Sequence, residues 1–256
     1  MLEIKINIHQ VNDQFSVNKI NLKIKSGSIF ALIGKSGSGK STIAKITSGD
    51  LLSNQAFIVL NGTNLNTNHE RLIREFDSIG YVPQNLHLKP HHTIQAFLEM
   101  LVQHKTKTAG HTFIQQTIKD FNIKSILHSK IANLSGGERQ KLALIQAISK
   151  PIKALVLDEP FSQLDTIQKQ ELSDLIEKII RKLNIPCLMI SHDIIDVVRL
   201  SDQVGVMQQG KIIFKGTWND FYKNKKKSIL SLQKGIFHYI EQTLQTIKHL
   251  NSLSKN

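Results

Sequence analysis

"GKSGSGKST", residues 34–42, decides the fold of this 256-residue chain. The stretch fits the pattern G-x-x-x-x-G-K-[ST], with its specified positions at Gly34, Gly39, Lys40 and Ser41. The apolar run "SIFALIG" before it predicts a buried strand, and a helix is expected to begin at Lys40. Glycines let successive backbone N–H groups curl around phosphates, and the helix N-terminus adds the positive end of a dipole. The stretch therefore predicts a phosphate loop between a strand and a helix.

Two side chains of this loop are expected to carry chemistry. Lys40 would reach the β- and γ-phosphates of a nucleotide, and Ser41 would supply a hydroxyl to Mg²⁺. The predicted phosphate-binding residues are Gly34, Lys35, Ser36, Gly37, Ser38, Gly39, Lys40, Ser41 and Thr42.

Two adjacent carboxylates end another apolar run, "ALVLDEP", which reads as a buried strand closing on Asp158 and Glu159. Parallel strands present functional groups at their carboxyl ends, in the crevice where ligands bind. We expect Asp158 to hold Mg²⁺, directly or through water, and Glu159 to polarise an attacking water. The pair thus indicates hydrolysis and not binding alone. The alternative is that these carboxylates cap the following helix.

Short apolar runs alternate with helical patterns along the rest of the chain. Strands are predicted at 2–8, 20–25, 56–62, 153–159 and 186–192, and helices at 40–47, 166–183 and over most of 92–150. "QVGVMQQGKIIFKG" is typical of a hairpin turning at Gln209-Gly210. Strands alternating with helices indicate a mainly parallel sheet covered on both faces. The helix-rich middle indicates an inserted helical subdomain at about 85–150.

Composition narrows the class of protein. The single cysteine, Cys187, excludes an internal disulfide framework and a cysteine-cluster metal site. No apolar run approaches the roughly 20 residues of a membrane span, and the N-terminus lacks a signal-peptide pattern. These features suit a cytosolic protein. The net charge of +13 fits nucleic acid, anionic lipid or nucleotide phosphates as partners, and equally a lysine-rich proteome.

Together these residues resemble the nucleotide-binding subunit of ABC transporters over about residues 2–220. The likeness rests on six motifs in order: the phosphate loop, "YVPQN" with Gln84, "LSGGE" at 134–138, "LVLDE" ending at Glu159, "SQLD" with Asp165, and "ISHD" with His192. The resemblance implies an α/β fold: a P-loop NTPase core with a mainly parallel sheet, an antiparallel β subdomain and an inserted α-helical subdomain. Residues 1–220 then form the ATPase domain, and 221–256 a basic, amphipathic helical tail.

In that family two ATPase domains pair head to tail, and ATP lies between the phosphate loop of one and the "LSGGE" signature of the other. The resemblance implies that Ser135, Gly136 and Gly137 face the partner's γ-phosphate. Asp165 would cross the dimer interface. Taken alone, Ser135 is an ordinary helix-capping serine, and Asp165 has the same alternative.

The same resemblance implies a catalytic set of Glu159, His192 and Gln84. Gln84 would contact Mg²⁺ or the water and sense the membrane subunit, so the implied metal ligands are Ser41, Gln84 and Asp158. His192 would contact the γ-phosphate and help position the water. The alternatives are an ordinary loop glutamine at Gln84 and a helix cap at His192.

Three positions depart from the family pattern. The aromatic residue that usually stacks on adenine would fall at Val11, and the nearest rings are His9 and Phe15. Gln146 stands where an arginine is common, and Ser28 replaces a frequent glutamate.

"DEPFSQLD" and "LKPHHTIQAFLEM" are similar to importer ATPases. The resemblance implies ATP and Mg²⁺ as cofactors and a homodimer or heterodimer of ATPase subunits. That dimer would power a separate membrane permease. The ATPase subunits would be peripheral proteins at the cytoplasmic face of the cell membrane. The alternative is a soluble ABC-type ATPase acting on nucleic acid or ribosomes, which the charge permits. One phosphate loop, one signature and one cysteine argue against it, so nucleic acid is not expected. A non-hydrolysing nucleotide sensor conflicts with Glu159 and His192.

The C-terminal tail shows a helical pattern after a lysine run at 223–227. From Ser228 its apolar residues recur at Ile229, Leu232, Ile236, Ile240, Leu244, Ile247 and Leu250. Spacings of three and four indicate an amphipathic helix. Such a helix either contacts anionic lipid or a partner subunit, or packs on its own domain.

Overall fold

The computed structural model describes residues 1–65 and 76–234, which form two sheets with helices around them. The strands are β1 (Leu2–Asn12), β2 (Phe15–Ile24), β3 (Ile29–Ile33), β4 (Ala56–Leu60), β5 (Thr63–Asn64), β6 (Ile79–Val82), β7 (Ala154–Asp158), β8 (Cys187–Ser191), β9 (Gln203–Gln208) and β10 (Lys211–Thr217). The α-helices that begin and end within the described residues are α1 (Lys40–Ser48), α2 (Ile94–Leu101), α3 (Lys107–Asp120), α4 (Gly136–Ile148), α5 (Thr166–Leu183), α6 (Ile194–Val198) and α7 (Trp218–Lys223). Two 3-10 turns, Lys124–Ile126 and Ile131–Asn133, precede α4.

The larger sheet has six strands in the order β10-β9-β3-β8-β7-β6. Only β10 runs antiparallel to its neighbour, β9, through the predicted turn at Gln209-Gly210. The other neighbouring pairs are parallel. Strands β3, β7 and β8 are buried along their whole length, as their continuous apolar runs predict. The predicted mainly parallel sheet is confirmed, and it brings the carboxyl ends of β3, β7 and β8 to one edge.

The smaller sheet is antiparallel, in the order β2-β1-β4-β5, and confirms the predicted β subdomain. Alternate residues of β1, Leu2, Ile4 and Ile6, are buried and share a core cluster with α1. Beyond Ile6 the strand continues to Asn12 with mostly exposed side chains. The apolar alternation of β1 stops at Ile8, and that of β2 is out of phase between Val17 and Ile20, where Lys19 has φ of 54°, which is why both strands are longer than their sequence patterns predict.

The helical region packs on the other face of the larger sheet. Phe97 and Leu98 of α2 and Leu142 and Ile145 of α4 join the core cluster that contains β7. Helix α3 begins at Lys107, earlier than its apolar pattern predicts, because the Thr106 side chain accepts the N–H of Ala109. The bounds assigned to the helical subdomain, about 85–150, and to the ATPase domain, 1–220, stay predictions.

Strand β6 is an element that the sequence patterns miss. Its four residues, "IGYV", are too short for a periodic signal, and a glycine interrupts them. A side chain on Gly80 would place Cβ 2.7 Å from the carbonyl oxygen of Ala147, so close packing against α4 requires glycine there. The strand matters because it delivers Pro83 and Gln84 to the functional edge of the sheet.

The start of the C-terminal tail packs on the rest of the chain. Residues 227–234 are helical, and Phe221 and Ile229 are fully buried. The Gln233 amide nitrogen donates to the carbonyl of Asn224 at 3.1 Å, beyond the end of α7. Up to Lys234 the tail thus packs on its own domain. The pattern positions Ile236, Ile240, Leu244, Ile247 and Leu250 lie outside the described residues. Within 1–65 and 76–234, no helix is long and apolar enough to cross a membrane.

Candidate functional site

The phosphate loop leaves the carboxyl end of β3 and enters α1. At Gly34 a Cβ atom would lie 2.3 Å from the carbonyl oxygen of Met207 on β9, so this first position of the loop tolerates only glycine. At Gly39, the residue before α1, φ is 99° and a Cβ would come 2.7 Å from Val17 of β2. The loop is therefore held close to strands of both sheets. It ends at Gly39, the N-cap of α1.

Lys40 is buried, and its ammonium is held by the loop itself. Nζ donates to the carbonyl oxygens of Gly34 at 2.8 Å and Lys35 at 3.1 Å. Burial lowers the pKa of Lys40, and the nearby carboxylates Glu159 and Asp158 oppose that shift. A cation with two carbonyl partners in this position still has donor capacity for phosphate oxygens.

Ser41 and Asp158 are joined directly. The Ser41 hydroxyl donates to Oδ1 of Asp158 at 3.0 Å, linking the first turn of α1 to the end of β7. Burial raises the pKa of Asp158, and the hydrogen bond from Ser41 lowers it in part. A hydroxyl and a carboxylate are oxygen ligands of the kind that Mg²⁺ prefers. No cluster of three or more His, Cys, Asp or Glu side chains suited to a metal occurs in residues 1–65 and 76–234.

Glu159 and His192 form a pair across the ends of β7 and β8. His192 Nδ1 lies 2.8 Å from Glu159 Oε2, and the carboxylate is 9% exposed while the imidazole is 61% exposed. Glu159 has φ of 54°, a left-handed conformation that is costly for a non-glycine residue. Its carbonyl is fixed by the N–H and the hydroxyl of Ser162, at 3.2 and 2.9 Å. Backbone strain at a buried carboxylate beside a pocket is typical of a functional group.

These groups face one open pocket of about 710 Å³. Nine of the residues predicted from the sequence line it: Ser36, Gly37, Gly39, Lys40, Ser41, Thr42, Gln84, Glu159 and His192. Gly34 and Lys35 stand behind them, binding the Lys40 ammonium, and Asp158 lies beneath Ser41. The remaining loop residue, Ser38, is buried and does not line the pocket. The pocket thus brings together the side chains that the sequence predicts to bind phosphate, to hold a metal ion and to act in hydrolysis.

The signature residues and Asp165 do not line this pocket. Ser135 is the N-cap of α4: its Oγ accepts the N–H of Glu138 at 3.3 Å, and Glu138 Oε2 accepts the N–H of Ser135 at 2.7 Å. Asp165 is the N-cap of α5 and accepts the N–H of Gln168 at 2.8 Å. Gly136 faces a separate cavity that Gln84 also lines. Within one chain, these residues start helices and are not joined to the phosphate loop.

The far wall of the pocket is formed by the distal β1–β2 hairpin, through Val11, Asn12 and Phe15. Val11 is 44% exposed, and Phe15 supplies the aromatic ring of this wall. His9, the other ring considered from the sequence, does not line the pocket. Asn12 was missed because no motif marks it; only its position beside Val11, at the hairpin end, indicates it.

The family model described as "ABC transporter" matches residues 17–162. The molybdenum import ATP-binding protein ModC of Haemophilus ducreyi is 32% identical over 213 residues, covering 82% of this chain and 59% of that protein. The sulfate/thiosulfate import ATP-binding protein CysA 2 of Shewanella oneidensis is 31% identical over 229 residues, covering 85% of this chain and 63% of that protein. The chain therefore spans about three fifths of the length of these curated relatives.

Solved structures share the fold. The structure of cbiO1 from Clostridium perfringens, described as part of the ABC transporter complex cbiONQ, has a TM-score of 0.79 at 24% identity and covers 97% of both chains. The ATP-binding cassette MJ0796, in a dimeric post-hydrolysis state bound to ADP and Pi, has a TM-score of 0.72 at 20% identity. It covers 85% of this chain and 98% of that one. At these identities the likeness establishes the fold alone.

Proposed function

The chain belongs to the ABC transporter family, and we propose that it is the ATP-binding and ATP-hydrolysing subunit of an importer that powers a separate membrane permease. One observation carries the proposal: Lys40, the Ser41–Asp158 link and the Glu159–His192 pair surround a single pocket. The similarity to import ATP-binding proteins supports the importer assignment. The same names weigh against a soluble ATPase acting on nucleic acid or ribosomes.

Nucleotide binding would use the phosphate loop. The backbone N–H groups of residues 34–42 and the N-terminus of α1 would surround the phosphates, and Lys40 would bind their β- and γ-oxygens. Ser41 and Asp158 would hold Mg²⁺, with Gln84 as a further oxygen ligand. The ion, when bound, would neutralise charge on the β- and γ-phosphates.

Hydrolysis would depend on the Glu159–His192 pair. Glu159 is the carboxylate that would accept a proton from the attacking water, and its buried, strained position limits its freedom to move. His192 is exposed toward the pocket and would orient Glu159 through Nδ1 while its other ring nitrogen faces the γ-phosphate. Gln84 would position the water from the loop after β6.

A second ATPase subunit would complete the site, as a homodimer or a heterodimer. Ser135, Gly136 and Gly137 lie at a helix start that can present N–H groups to phosphate, yet they lie outside their own chain's pocket. We therefore assign them to the partner's γ-phosphate and Asp165 to the dimer interface. The fold relative MJ0796 is described as a dimer.

The permease is proposed to dock beside the loop that carries Gln84. A groove of about 370 Å³ follows this loop and is lined by Tyr81, Pro83 and Met100, among others. A partner seated there would act on Gln84 through Pro83, the one residue that separates it from β6. Association with that permease would hold the chain at the cytoplasmic face of the membrane.

The substitution Glu159→Gln tests the hydrolytic assignment. We expect ATP binding to persist, a nucleotide-bound dimer to accumulate, and turnover to fall by about 10²–10⁴-fold, the usual contribution of a general base. Phosphate release and size-exclusion chromatography with ATP measure both effects. Glu171→Gln, at an exposed carboxylate paired with Lys141, is the matched control and should leave turnover unchanged. Normal hydrolysis by Glu159→Gln would overturn the assignment.

Purification from native membranes tests the transport role. We expect the chain to be recovered with a membrane permease. Recovery with ribosomes or DNA, and without a membrane protein, would favour the alternative function.

A further inference from the structure

We propose that Lys169 is a positioning residue that holds His192 in place and links it to the signature half of the same chain. The inference rests on the hydrolytic role proposed above for Glu159 and His192. It concerns a lysine outside the six motifs, on the first turns of α5.

Lys169 joins the start of α5 to α6 by an ion pair. Its Nζ lies 2.7 and 2.9 Å from the two carboxylate oxygens of Asp196 and 3.9 Å from Oδ2 of Asp193. The Asp196 side chain is 11% exposed and that of Lys169 is 31% exposed. Such an ion pair is screened less than a surface pair, and loss of Lys169 would leave a largely buried carboxylate without its cation.

Helix α6 is attached directly to His192. Asp193 follows His192 and is the N-cap of α6, accepting the N–H of Ile195. The Ser191 hydroxyl accepts the N–H of Asp193 and donates to its carbonyl, both at 3.0 Å. These hydrogen bonds restrict the movement of His192 relative to α6. A displacement of Asp196 would therefore move the imidazole relative to Glu159, 2.8 Å away.

The other side of the same turn of α5 contacts the signature. A Cβ atom on Gly137 would lie 3.1 Å from the side-chain carbon Cδ of Gln168, the neighbour of Lys169. A Cβ on Gly136 would lie 3.1 Å from the carbonyl of Gln163, just before α5. The backbone N–H of Lys169 donates to the carbonyl of Asp165 at 2.9 Å. The beginning of α5 thus packs on the signature helix on one side and is bonded to the His192 turn on the other.

The chain supplies a control for the alternative that Lys169 only stabilises the fold. Arg199 and Asp174 form a second ion pair between the α5 and α6 regions, and the distance from Nη2 of Arg199 to Oδ1 of Asp174 is 2.9 Å. Both side chains are more than half exposed, and Arg199 follows the end of α6 and not the His192 turn. If the pairs merely join helices, removing either one should have similar consequences.

The experiment compares Lys169→Met, Lys169→Arg, Asp196→Asn and Arg199→Met in the full chain. For Lys169→Met and Asp196→Asn we expect kcat for ATP hydrolysis to fall about tenfold or more, with the Kd for ATP within about twofold, because misplaced catalytic groups lower turnover and not binding. Lys169→Arg keeps the charge and should restore most of kcat. Arg199→Met should leave kcat within about twofold of the wild type, since exposed ion pairs contribute little.

An NMR readout separates this proposal from the proposed function. The imidazole signal of His192, identified among the 11 histidines by its loss in His192→Ala, should shift in Lys169→Met and stay in place in Arg199→Met. This shift does not require ATPase activity. Absent hydrolysis in the wild type would count against the proposed function, whereas an unmoved His192 signal in a folded Lys169→Met protein would overturn the positioning role. Equal loss of kcat in Lys169→Met and Arg199→Met would overturn it as well.

A double-mutant cycle tests the link to the signature. Gln168→Ala loosens the contact with Gly137, and Lys169→Met loosens the contact with Asp196. If one turn of α5 transmits both contacts, the fold-losses in kcat of the double variant are smaller than the product of the single losses. If the fold-losses in kcat multiply strictly, the link to the signature is overturned. The positioning of His192 is then judged by the comparison of Lys169→Met with Arg199→Met alone.

Discussion

The two halves of the proposed ATP site are built differently within this chain. Around the phosphate loop, Lys40, Ser41 and Glu159 face a common pocket and are held by hydrogen bonds to the loop, to β7 and to β8. The signature and Asp165 lie at two helix starts, and their side chains cap their own helices. The first half holds, within one chain, the groups that we propose to bind a nucleotide. The second half has polar groups that do not line the pocket of the phosphate loop in the same chain. Its proposed role therefore requires another subunit.

Among the variants that test the difference between the two halves, we expect Ser135→Arg to have the largest effect. If the signature acts only on the partner's nucleotide, a bulky charge at this exposed position should block dimer closure and lower hydrolysis by about 10²-fold or more. ATP binding by the isolated chain should change little, because Ser135 does not line its own pocket. Phosphate release and binding of a fluorescent ATP analogue measure the two. Ser125→Arg, in an exposed 3-10 turn, is the control. Weakened binding in the monomer would mean that both halves serve the same chain.

His192→Ala sharpens the role of the first half. We expect kcat to fall about 10²-fold, in the range of a positioned acid–base group, and the Kd for ATP to change by less than about threefold. Binding should persist because Lys40 and the loop remain, and folding should persist because the imidazole is 61% exposed. His128→Ala, at another exposed histidine, is the control. A parallel loss of affinity would place His192 among the binding groups.

The first half was more predictable from the sequence than the second. A phosphate loop is contiguous, and the strand before it and the helix after it have clear apolar patterns. Asp158 and Glu159 follow from the buried run that they end. Helix α5 was predicted at 166–183 because its apolar residues recur at helical spacing and Asp165 precedes it. These features depend on neighbours in sequence, which is where pattern arguments are strongest.

What the sequence could not predict depends on contacts between distant segments. The Lys169–Asp196 pair joins residues 27 positions apart, on two helices, and no periodicity marks it. Strand β6 is stabilised by its parallel partner β7 and not by a pattern of its own. The end of the β1–β2 hairpin, which brings Val11 and Phe15 to the pocket, has a register shift between Gln10 and Asn12 that no sequence pattern marks. The second subunit that we propose to complete the site is likewise not a property of one chain.

A smaller effect separates capping from catalysis at Ser135. Ser135→Ala removes an N-cap and should lower the free energy of unfolding by about 1 kcal/mol. Thr93→Ala removes the N-cap of α2, where Thr93 accepts the N–H of Ala96 at 3.2 Å, and should cost a similar amount. Thermal melting measures the loss in both variants. Only Ser135→Ala should also lower hydrolysis. If the two variants lose turnover equally, the signature serine acts through helix stability alone.

The last expected effect on stability is of similar size, has the opposite sign and concerns Asp158. Because burial raises the pKa of this carboxyl, the folded chain holds its proton to higher pH than the unfolded chain does, so ionisation of Asp158 opposes folding as pH rises. Asn at this position is neutral and can still accept the Ser41 hydroxyl.

We expect Asp158→Asn to raise the melting temperature of the nucleotide-free protein at pH 8 by about 2–4 °C, equivalent to about 1 kcal/mol, while it removes Mg²⁺-dependent hydrolysis. The gain should shrink as pH falls, because the wild-type carboxyl takes up its proton in the folded chain at a higher pH than in the unfolded chain. Asp174→Asn, at an exposed carboxylate, should give no such pH-dependent gain. A lower melting temperature for Asp158→Asn at pH 8 would mean that the Ser41–Asp158 link stabilises the fold, and that the first half of the site is not strained for its function.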